Sequence, residues 1–346
     1  MKVSLITTRM KRHGNLFSQI TDLENIRLAY TKARKGKTSK SAIKRFDKDP
    51  DKRIVEIRDS LINNTFTTSK YQTKWVKEPK SRLVYVLPFN PDRVVQHAIM
   101  NVIEPIWDKL FIEDSYACRV GKGIHKGSQR CMEFVRKYNY CLKCDISKFY
   151  PSVDHNVLFD VIKRKIKCSR TLDLLANIIY SISGGKNVPI GNYTSQWFGN
   201  LYLNELDQHL KHTYKIKPYL RYCDDFIVFS DSKKHLNYMA VVIKEFCAKL
   251  KLSLSKCDLF PVSQGVDFLG YRHFNNYILL RKSTATRVKR RLKILPKLFK
   301  SGKISLELYR SSLASTYGWF KWANTNNLNM STCLDKMLGE LKVEAI

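Results

Sequence analysis

The sequence is poor in acidic residues and contains no long apolar run. Its 30 Asp and Glu face 62 Lys and Arg, which gives a net charge of +32 and indicates a polyanionic partner. No window approaches the roughly 18 uncharged apolar residues of a membrane-spanning helix, and the first residues lack the apolar core of a signal peptide. We therefore expect nucleic acid rather than a membrane as the partner, and a cytoplasmic protein translated from Met1 or Met10.

Cysteines with metal-binding spacing are also scarce. Nine cysteines at irregular spacing favour reduced thiols over a disulfide framework. Cys141 and Cys144 form one Cys-x-x-Cys pair, but no second pair completes a zinc site, and residues three apart in a strand face opposite sides. We interpret both as structural thiols.

The sequence has ample material for packed domains. Apolar residues make up 44% of it, with 17 Phe and 18 Tyr, which excludes a disordered basic tail. At about 150 residues per domain, 346 residues predict two to three folded units.

Hydrophobic patterns predict alternating helices and strands. A buried strand is predicted over 140–146 and hairpins over 74–88, 219–230 and 265–281. Helices are predicted over 23–33, 54–61, 92–111, 153–165, 171–181, 197–212 and 234–250. A further helix follows the glycine-rich segment 119–127 and ends at about 138, and the chain from 284 is predicted to be helical with breaks at Pro296 and Gly302. Thr194 or Ser195 is expected to cap the 197–212 helix. The pattern indicates an α+β fold whose antiparallel or mixed sheet carries helices on one face.

Two adjacent carboxylates, Asp224 and Asp225, interrupt the hairpin over 219–230. Taken alone they could be turn-forming aspartates that face water. Asp145 ends a separate predicted strand, and pairing that strand with the hairpin would gather three carboxylates. Such a set suits Mg²⁺, and two ions about 4 Å apart can clamp the attacking and leaving oxygens of a phosphoryl transfer.

These motifs resemble those of the reverse transcriptase superfamily. The resemblance rests on Lys143-Cys-Asp-Ile, on Tyr222-Cys-Asp-Asp and on Phe268-Leu-Gly-Tyr, and it covers about residues 74–281. It implies a right-hand polymerase with fingers, a palm whose antiparallel sheet is backed by helices, and a short helical thumb. The expected divisions are a basic helical extension (1–73), fingers (74–139), palm (140–282, with 167–192 returning to the fingers in one alternative) and thumb (283–346).

The resemblance also implies roles for individual residues. Asp145, Asp224 and Asp225 would be catalytic and would hold two Mg²⁺ ions, for which Mn²⁺ can substitute, together with Ile146. The nucleotide would contact Lys80, Arg82, Phe149, Tyr150, Ile190, Gly191, Gln196 and Lys256. Template and primer would contact Arg119, Lys122, Lys126, Phe268, Leu269, Gly270 and Tyr271.

Simpler alternatives remain open for several of these residues. Tyr150 could be a core residue, and Phe268-Leu-Gly-Tyr could be a plain hydrophobic hairpin. Lys249 and Lys251 lie close to Lys256 in the sequence and are alternative candidates for the lysine that protonates the departing pyrophosphate. Four histidines are assigned no catalytic role: His125 is expected to hydrogen-bond in a loop, His155 to help cap its helix, and His209 and His212 to lie on the surface.

The loop before the 197–212 helix departs from the usual superfamily pattern. Most members carry Gln-Gly and end the motif in Ser-Pro, whereas this sequence reads Ile190-Gly-Asn-Tyr-Thr-Ser-Gln196. The pattern resembles reverse transcriptases of diversity-generating retroelements, which copy a template-repeat RNA with random nucleotides opposite adenines. The resemblance implies template RNA, cDNA, dNTPs and a small, basic, homo-oligomeric accessory variability protein as partners.

Other function classes compete with this interpretation. A retron-type or group II intron enzyme would be expected to keep Gln at position 190. A non-catalytic RNA-binding protein with a palm fold has no need for three aspartates, and a structural protein would use its charge only to recruit an acidic partner.

Overall fold

A computed structural model describes residues 12–77, 81–332 and 334–343 of the chain. Lys80 and both candidate initiator residues, Met1 and Met10, lie outside the described residues. No helix in the described part of the chain is both long and apolar enough to cross a membrane.

The described residues form helices and short strands, which confirms the predicted α+β class. The strands are β1 (Gln72–Val76), β2 (Arg82–Val86), β3 (Tyr140–Ile146), β4 (Tyr219–Tyr222), β5 (Asp225–Ser230), β6 (Leu254–Pro261), β7 (Val266–Phe268), β8 (Tyr271–His273) and β9 (Ile278–Leu280). The helices up to residue 179 are α1 (Leu16–Ile20), α2 (Leu23–Arg34), α3 (Ser41–Phe46), α4 (Pro50–Ile62), α5 (Val94–Asp108), α6 (Ile124–Val135), α7 (Phe149–Ser152), α8 (His155–Lys163) and α9 (Ser169–Ile179). They continue with α10 (Tyr193–Gln208), α11 (Lys233–Lys249), α12 (Lys282–Lys300), α13 (Leu306–Phe320), α14 (Asn326–Thr332) and α15 (Leu334–Val343).

The chain divides into two compact units. Unit one contains the described residues up to Glu113, Asp145–Ile216 and Val242–Lys256; unit two contains Asp114–Cys144, Lys217–Val241 and the chain from Cys257 onward. Strands β3 and β6 each cross from one unit into the other. The predicted division into fingers, palm and thumb stays a prediction.

Unit one is largely helical, and local chemistry fixes where its helices begin. Asp22 caps α2 by accepting hydrogen bonds from the amides of Glu24 and Asn25 at 3.0 and 3.1 Å. Asp49 caps α4, whose first residue is Pro50. Helix α2 lies against α5, where the Asn25 amide donates to the carbonyl of Ala98 at 3.0 Å. The β1–β2 hairpin is antiparallel.

Unit two contains two of the three predicted hairpins, and the first strand predicted for the hairpin over 265–281 is itself the β7–β8 hairpin. The order β4–β5–β3–β6 defines a four-stranded sheet, in which β4 and β5 are antiparallel. Strands β7, β8 and β9 form a second antiparallel sheet. One apolar cluster joins α6 to both sheets through Cys131, Cys141, Phe229 and Phe268, and another packs β8 and β9 on α12 and α13.

Two predicted helix boundaries were wrong because tertiary contacts override the local pattern. Helix α10 begins at Tyr193, where the side-chain oxygen of Gln96 accepts from the Tyr193 amide at 2.9 Å. Its N-cap is Asn192, whereas the Ser195 hydroxyl donates to the carbonyl of Pro189. Helix α12 runs through Pro296 because its apolar face packs on both sides of the proline: Leu292 and Leu295 are buried before it, and Phe299 packs against the same cluster after it. Neither α3 nor β6 was predicted.

Candidate active site

In unit one, Asp145 lies near the end of β3. The Ser255 hydroxyl of β6 donates to Asp145 Oδ2 at 2.7 Å and lies 3.1 Å from the Asp145 carbonyl oxygen. Ile146, the next residue, is buried. The hydrogen bond restrains the carboxylate without neutralising it, so Asp145 keeps its capacity to bind a cation. Ser255 was not identified from the sequence.

The aromatic pair after β3 packs against α10. The Phe149 and Tyr150 rings lie 5.2 Å apart, with Phe149 buried and Tyr150 partly exposed. A Cβ at Gly199 would lie 3.1 Å from Phe149 Cε1 and 3.3 Å from Tyr150 Cε1. The absence of a side chain at Gly199 therefore lets both rings lie directly on α10.

The loop before α10 is bound to both the hairpin and the aromatic pair. The Tyr85 amide donates to the Ile190 carbonyl at 2.7 Å, and the Val188 amide donates to the Tyr150 carbonyl at 2.9 Å. Gly191 has φ +125°, and a Cβ there would lie 2.2 Å from the Tyr85 carbonyl oxygen, so only glycine fits. The loop that contains Ile190 and Gly191 is thus anchored to the backbone of both Tyr85 and Tyr150.

The remaining predicted nucleotide contacts are less enclosed. Arg82 begins β2 and is exposed, Gln196 is exposed in the first turn of α10, and Lys256 is exposed on β6. Lys251 instead binds Asp154 at 2.7 Å. Asp154 is the N-cap of α8, so Lys251 is engaged at the start of that helix. This leaves Lys256 as a better candidate than Lys251 for the lysine that protonates pyrophosphate.

In unit two, Asp224 and Asp225 lie at the tight turn between β4 and β5. Tyr222 pairs with Asp225 across the hairpin, and Cys223 between them has φ +54°. Arg221 is fully buried, and its guanidinium donates to the carbonyl of Cys223 at 3.1 Å. A buried cation therefore supports the backbone of the turn.

Asp225 belongs to a charge network that the sequence did not reveal. Lys143 Nζ of β3 lies 3.7 Å from Asp225 Oδ2 and 3.7 Å from Asp267 Oδ1, and it donates to the Asp267 carbonyl at 2.5 Å. Asp267 also binds Arg281, which precedes α12. Asp225 therefore already has one cation, the Lys143 ammonium, as a neighbour.

The predicted template contacts occupy the segment before and within α6. Arg119 donates to the carbonyl of Ser115 at 3.1 Å, Lys122 lies over the Tyr116 ring, and Lys126 is exposed. A glycine in α6 allows close packing in this region. A Cβ at Gly127 would lie 2.7 Å from Leu269 Cδ1, so Gly127 permits α6 to pack on the Phe268–Tyr271 turn.

The Phe268–Tyr271 turn connects β7 to β8. Phe268 and Tyr271 are fully buried, whereas Leu269 and Gly270 have positive φ values of 56° and 85°. Burial raises the pKa of Tyr271 to about 12. The full burial of both aromatic side chains is what a plain hydrophobic hairpin predicts. Only the backbone at 269 and 270 therefore stays a candidate for primer contact.

His125 forms a hydrogen bond as predicted, with its Nδ1 3.4 Å from the Tyr271 hydroxyl, but it does so from α6 rather than from a loop. The positions predicted for His155 and His209 were wrong. His125 is in α6 and stacks on Trp322, His155 is buried and contacts the Asn187 carbonyl, and His209 stacks on Phe246. Each is held by packing that the linear pattern does not reveal. His212 is exposed, as predicted, and Cys141 and Cys144 are both buried, with burial raising the pKa of Cys141.

The predicted metal ligands in both units are of a type that fits a hard divalent cation. Asp145 in unit one and Asp224 and Asp225 in unit two offer carboxylate oxygens, the ligands that Mg²⁺ prefers. Within the described residues, no three or more His, Cys, Asp or Glu side chains form a ready-made metal cluster. Joint metal binding by the three aspartates therefore stays a prediction.

Comparison with known proteins identifies relatives over most of this region. Residues 75–273, or 199 of 346, match the family model for reverse transcriptase (RNA-dependent DNA polymerase). Protein YkfC of Escherichia coli (strain K12) is 24% identical over 270 residues, which cover 62% of this chain and 70% of YkfC.

Proteins encoded in introns are also similar. The group II intron-encoded protein LtrA of Lactococcus lactis subsp. cremoris is 20% identical over 299 residues, covering 64% of this chain and 49% of LtrA. The putative COX1/OXI3 intron 2 protein of Saccharomyces cerevisiae is 24% identical over 136 residues, covering 36% of this chain and 16% of that protein. The chain thus spans half or less of the length of these intron proteins.

Proposed function

The chain belongs to the reverse transcriptase family, and on that premise we propose that it is an RNA-directed DNA polymerase that uses Asp145, Asp224 and Asp225 as catalytic carboxylates. The observation that carries the proposal is their position on strands. Asp145 lies near the end of β3, Asp224 and Asp225 lie at the β4–β5 turn, and β5 neighbours β3 in the sheet order. Extension of a DNA primer on an RNA template, with dNTPs and Mg²⁺, is the direct test.

Two Mg²⁺ ions are the proposed cofactors, with the carbonyl of Ile146 as an additional ligand. When bound, they would neutralise phosphate charge and stabilise the attacking and leaving oxygens of phosphoryl transfer. Ser255 orients Asp145, and Lys143 forms an ion pair with Asp225. Arg82 and Lys80 are the proposed triphosphate contacts, because guanidinium and ammonium groups bind phosphate oxygens. The Tyr150 ring, supported on Gly199, is proposed to exclude a ribose 2′-hydroxyl.

Substituting Ser255 by Ala tests the orientation of Asp145. A single neutral hydrogen bond contributes about 0.5–1.5 kcal/mol, so we expect kcat for primer extension to fall about two- to twelvefold. Ser255→Thr keeps the hydroxyl and is expected to retain most of the rate. Ser253→Ala, at an exposed serine two residues earlier, is the matched control. Equal rates for Ser255→Ala and the unsubstituted protein would contradict this role.

The proposed subtype is the reverse transcriptase of a diversity-generating retroelement, which copies a template-repeat RNA with errors directed to adenine. Support comes from Ile190 and Gln196 at positions where most of the superfamily has other residues. The Ile190 backbone is held by Tyr85, so its side chain is presented from a fixed position. An alkyl group there cannot form the hydrogen bond that an amide could form with the nucleotide, which removes one restraint on base selection.

Ile190→Gln is expected to reduce misincorporation opposite template adenine about two- to twelvefold, the range of one neutral hydrogen bond. Ile190→Val, which stays apolar and β-branched, is the matched control. Sequencing the cDNA made on one RNA template by each variant gives the error spectrum. An adenine error rate that does not change with Gln at position 190 would remove Ile190 from the explanation.

A group II intron-like reverse transcriptase is the second candidate, because similar proteins such as LtrA are encoded by group II introns. Product sequencing separates the two candidates. Errors concentrated at template adenines, especially with an added small, basic, homo-oligomeric partner protein, favour the retroelement. Errors spread evenly over the four template bases favour the intron-like enzyme.

A further inference from the structure

Cys223, the residue between Tyr222 and Asp224, has a second thiol beside it. Its side chain hydrogen-bonds to that of Cys118, and both residues belong to unit two. Cys118 is exposed and Cys223 is partly exposed. A small reagent can therefore react with the exposed Cys118 thiol, and the Cys223 thiol already lies next to Cys118.

Backbone contacts hold the two cysteines next to each other. Ser115 and Arg221 form a parallel bridge, in which the Arg221 amide donates to the Asp114 carbonyl and the Tyr116 amide donates to the Arg221 carbonyl, each at 3.0 Å. The Gly123 amide donates to the Tyr116 carbonyl and closes the loop that contains Cys118. Cys118 and Cys223 both have left-handed φ values, 57° and 54°. The thiol pair thus follows from the backbone course of two anchored turns.

A second thiol contact in the same unit provides a comparison. Cys144 Sγ and Cys257 Sγ lie 3.6 Å apart, but Cys144 is fully buried in β3. Burial shields that thiol from reagents, and its strand is fixed in the four-stranded sheet. The Cys118–Cys223 pair differs because both residues lie in turns and neither is buried.

We infer that Cys118 and Cys223 form an oxidation site for peroxides, and that their disulfide arrests the polymerase. The Cys118 thiol would attack hydrogen peroxide to give a sulfenic acid and one water. The Cys223 thiol would then displace the second water and form the S–S bond. The two sulfurs lose two electrons in total, and the peroxide is reduced to two waters. A dithiol such as dithiothreitol reverses the reaction by exchange.

The location of the pair explains why its oxidation would stop synthesis. Cys223 directly precedes Asp224, and Cys118 directly precedes Arg119, one of the proposed template contacts. An S–S bond of about 2.05 Å requires both turns to move from a hydrogen-bonded to a covalent distance. Since a shift of about 1 Å in reacting groups costs up to a hundredfold in rate, the Asp224 turn would be displaced from its working position. This consequence for synthesis rests on the proposed polymerase function.

Peroxide treatment of the full-length reduced protein tests the inference. We expect mass spectrometry to identify a peptide pair linked through Cys118 and Cys223, with primer extension slowed at least about tenfold and restored by dithiothreitol. Cys118→Ser should match the unsubstituted protein when reduced and keep its rate in peroxide. Cys257→Ser, which removes the comparison pair, should remain as sensitive as the unsubstituted protein.

Three results would overturn the inference: no linked peptide, a linked peptide with an unchanged rate, or a Cys118→Ser variant that loses its rate in peroxide. Failure of the proposed function is recognised separately, because the reduced protein would then extend no primer. In that case the linked peptide alone decides whether the thiol pair is an oxidation site.

Discussion

Asp224→Asn is expected to lower the rate of primer extension at least about a thousandfold, or about 4 kcal/mol of transition-state stabilisation. Asparagine has the size of aspartate and is equally suited to a turn, so the β4–β5 hairpin should form normally. It lacks the negative charge that a divalent cation requires of a carboxylate ligand. The measurement is single-turnover primer extension on an RNA template at saturating Mg²⁺.

Asp231→Asn is the matched control for this substitution. Asp231 follows the other end of β5, where its Oδ1 accepts from the backbone amide and side chain of Asn139 at 3.0 and 2.9 Å. An amide oxygen can take over that role, so its activity should stay within about threefold, the effect of less than one hydrogen bond. RNA affinity, measured at one fixed salt concentration, should be the same for all three proteins.

The combined outcome separates the competing function classes. Loss of synthesis with RNA binding retained excludes a non-catalytic RNA-binding role. Full activity of Asp224→Asn would remove Asp224 from the catalytic set, and loss of RNA binding as well would indicate a damaged fold.

The strands that carry the aspartates could be predicted closely from sequence. Strand β3 has the bounds predicted for it, and β4 and β5 lie within the predicted hairpin, because short apolar runs end at turn residues such as Cys223 and Asp224. The same local rule placed Gly302 just after the end of α12. These features depend on neighbours in the chain, which the sequence displays directly.

Features that depend on distant residues could not be predicted in this way. Strand β6 has four exposed residues in a row and no alternation of apolar and polar residues, so its sequence does not indicate a strand or a role for Ser255. The sequence presents Lys143 only as part of a motif, although it contacts Asp225 and Asp267, which follow it by 82 and 124 residues. Likewise, Gln96 lies in another helix, α5, and its side chain binds the backbone amide at which α10 begins. Side chains that connect separate elements are therefore the part of the site that becomes visible only in the folded structure.

His273 in β8 gives unit two a built-in dependence on pH. Its Nδ1–H donates to the Val266 carbonyl at 3.0 Å, which leaves Nε2 to accept from the Ser128 hydroxyl at 2.7 Å. Burial lowers the pKa of His273 from 6.5 to about 4, and the Val266 hydrogen bond and Asp267 oppose that shift. Between these two values the unfolded chain binds a proton that the folded chain does not. The stabilising contribution is therefore complete above pH 6.5 and is lost as the pH falls to about 4.

We expect this histidine to remove about 3 kcal/mol from the free energy of unfolding of unit two between pH 6.5 and 4, at about 1.4 kcal/mol per pH unit. His273→Asn keeps a donor for the Val266 carbonyl but cannot titrate, so its stability profile should be flatter by that amount. His212→Asn, at an exposed position, should follow the unsubstituted protein. Hydrogen exchange of amides in β7 and β8 measures the local free energy at each pH. Parallel profiles for His273→Asn and the unsubstituted protein would show that neutral burial of His273 does not control the acid sensitivity of this sheet.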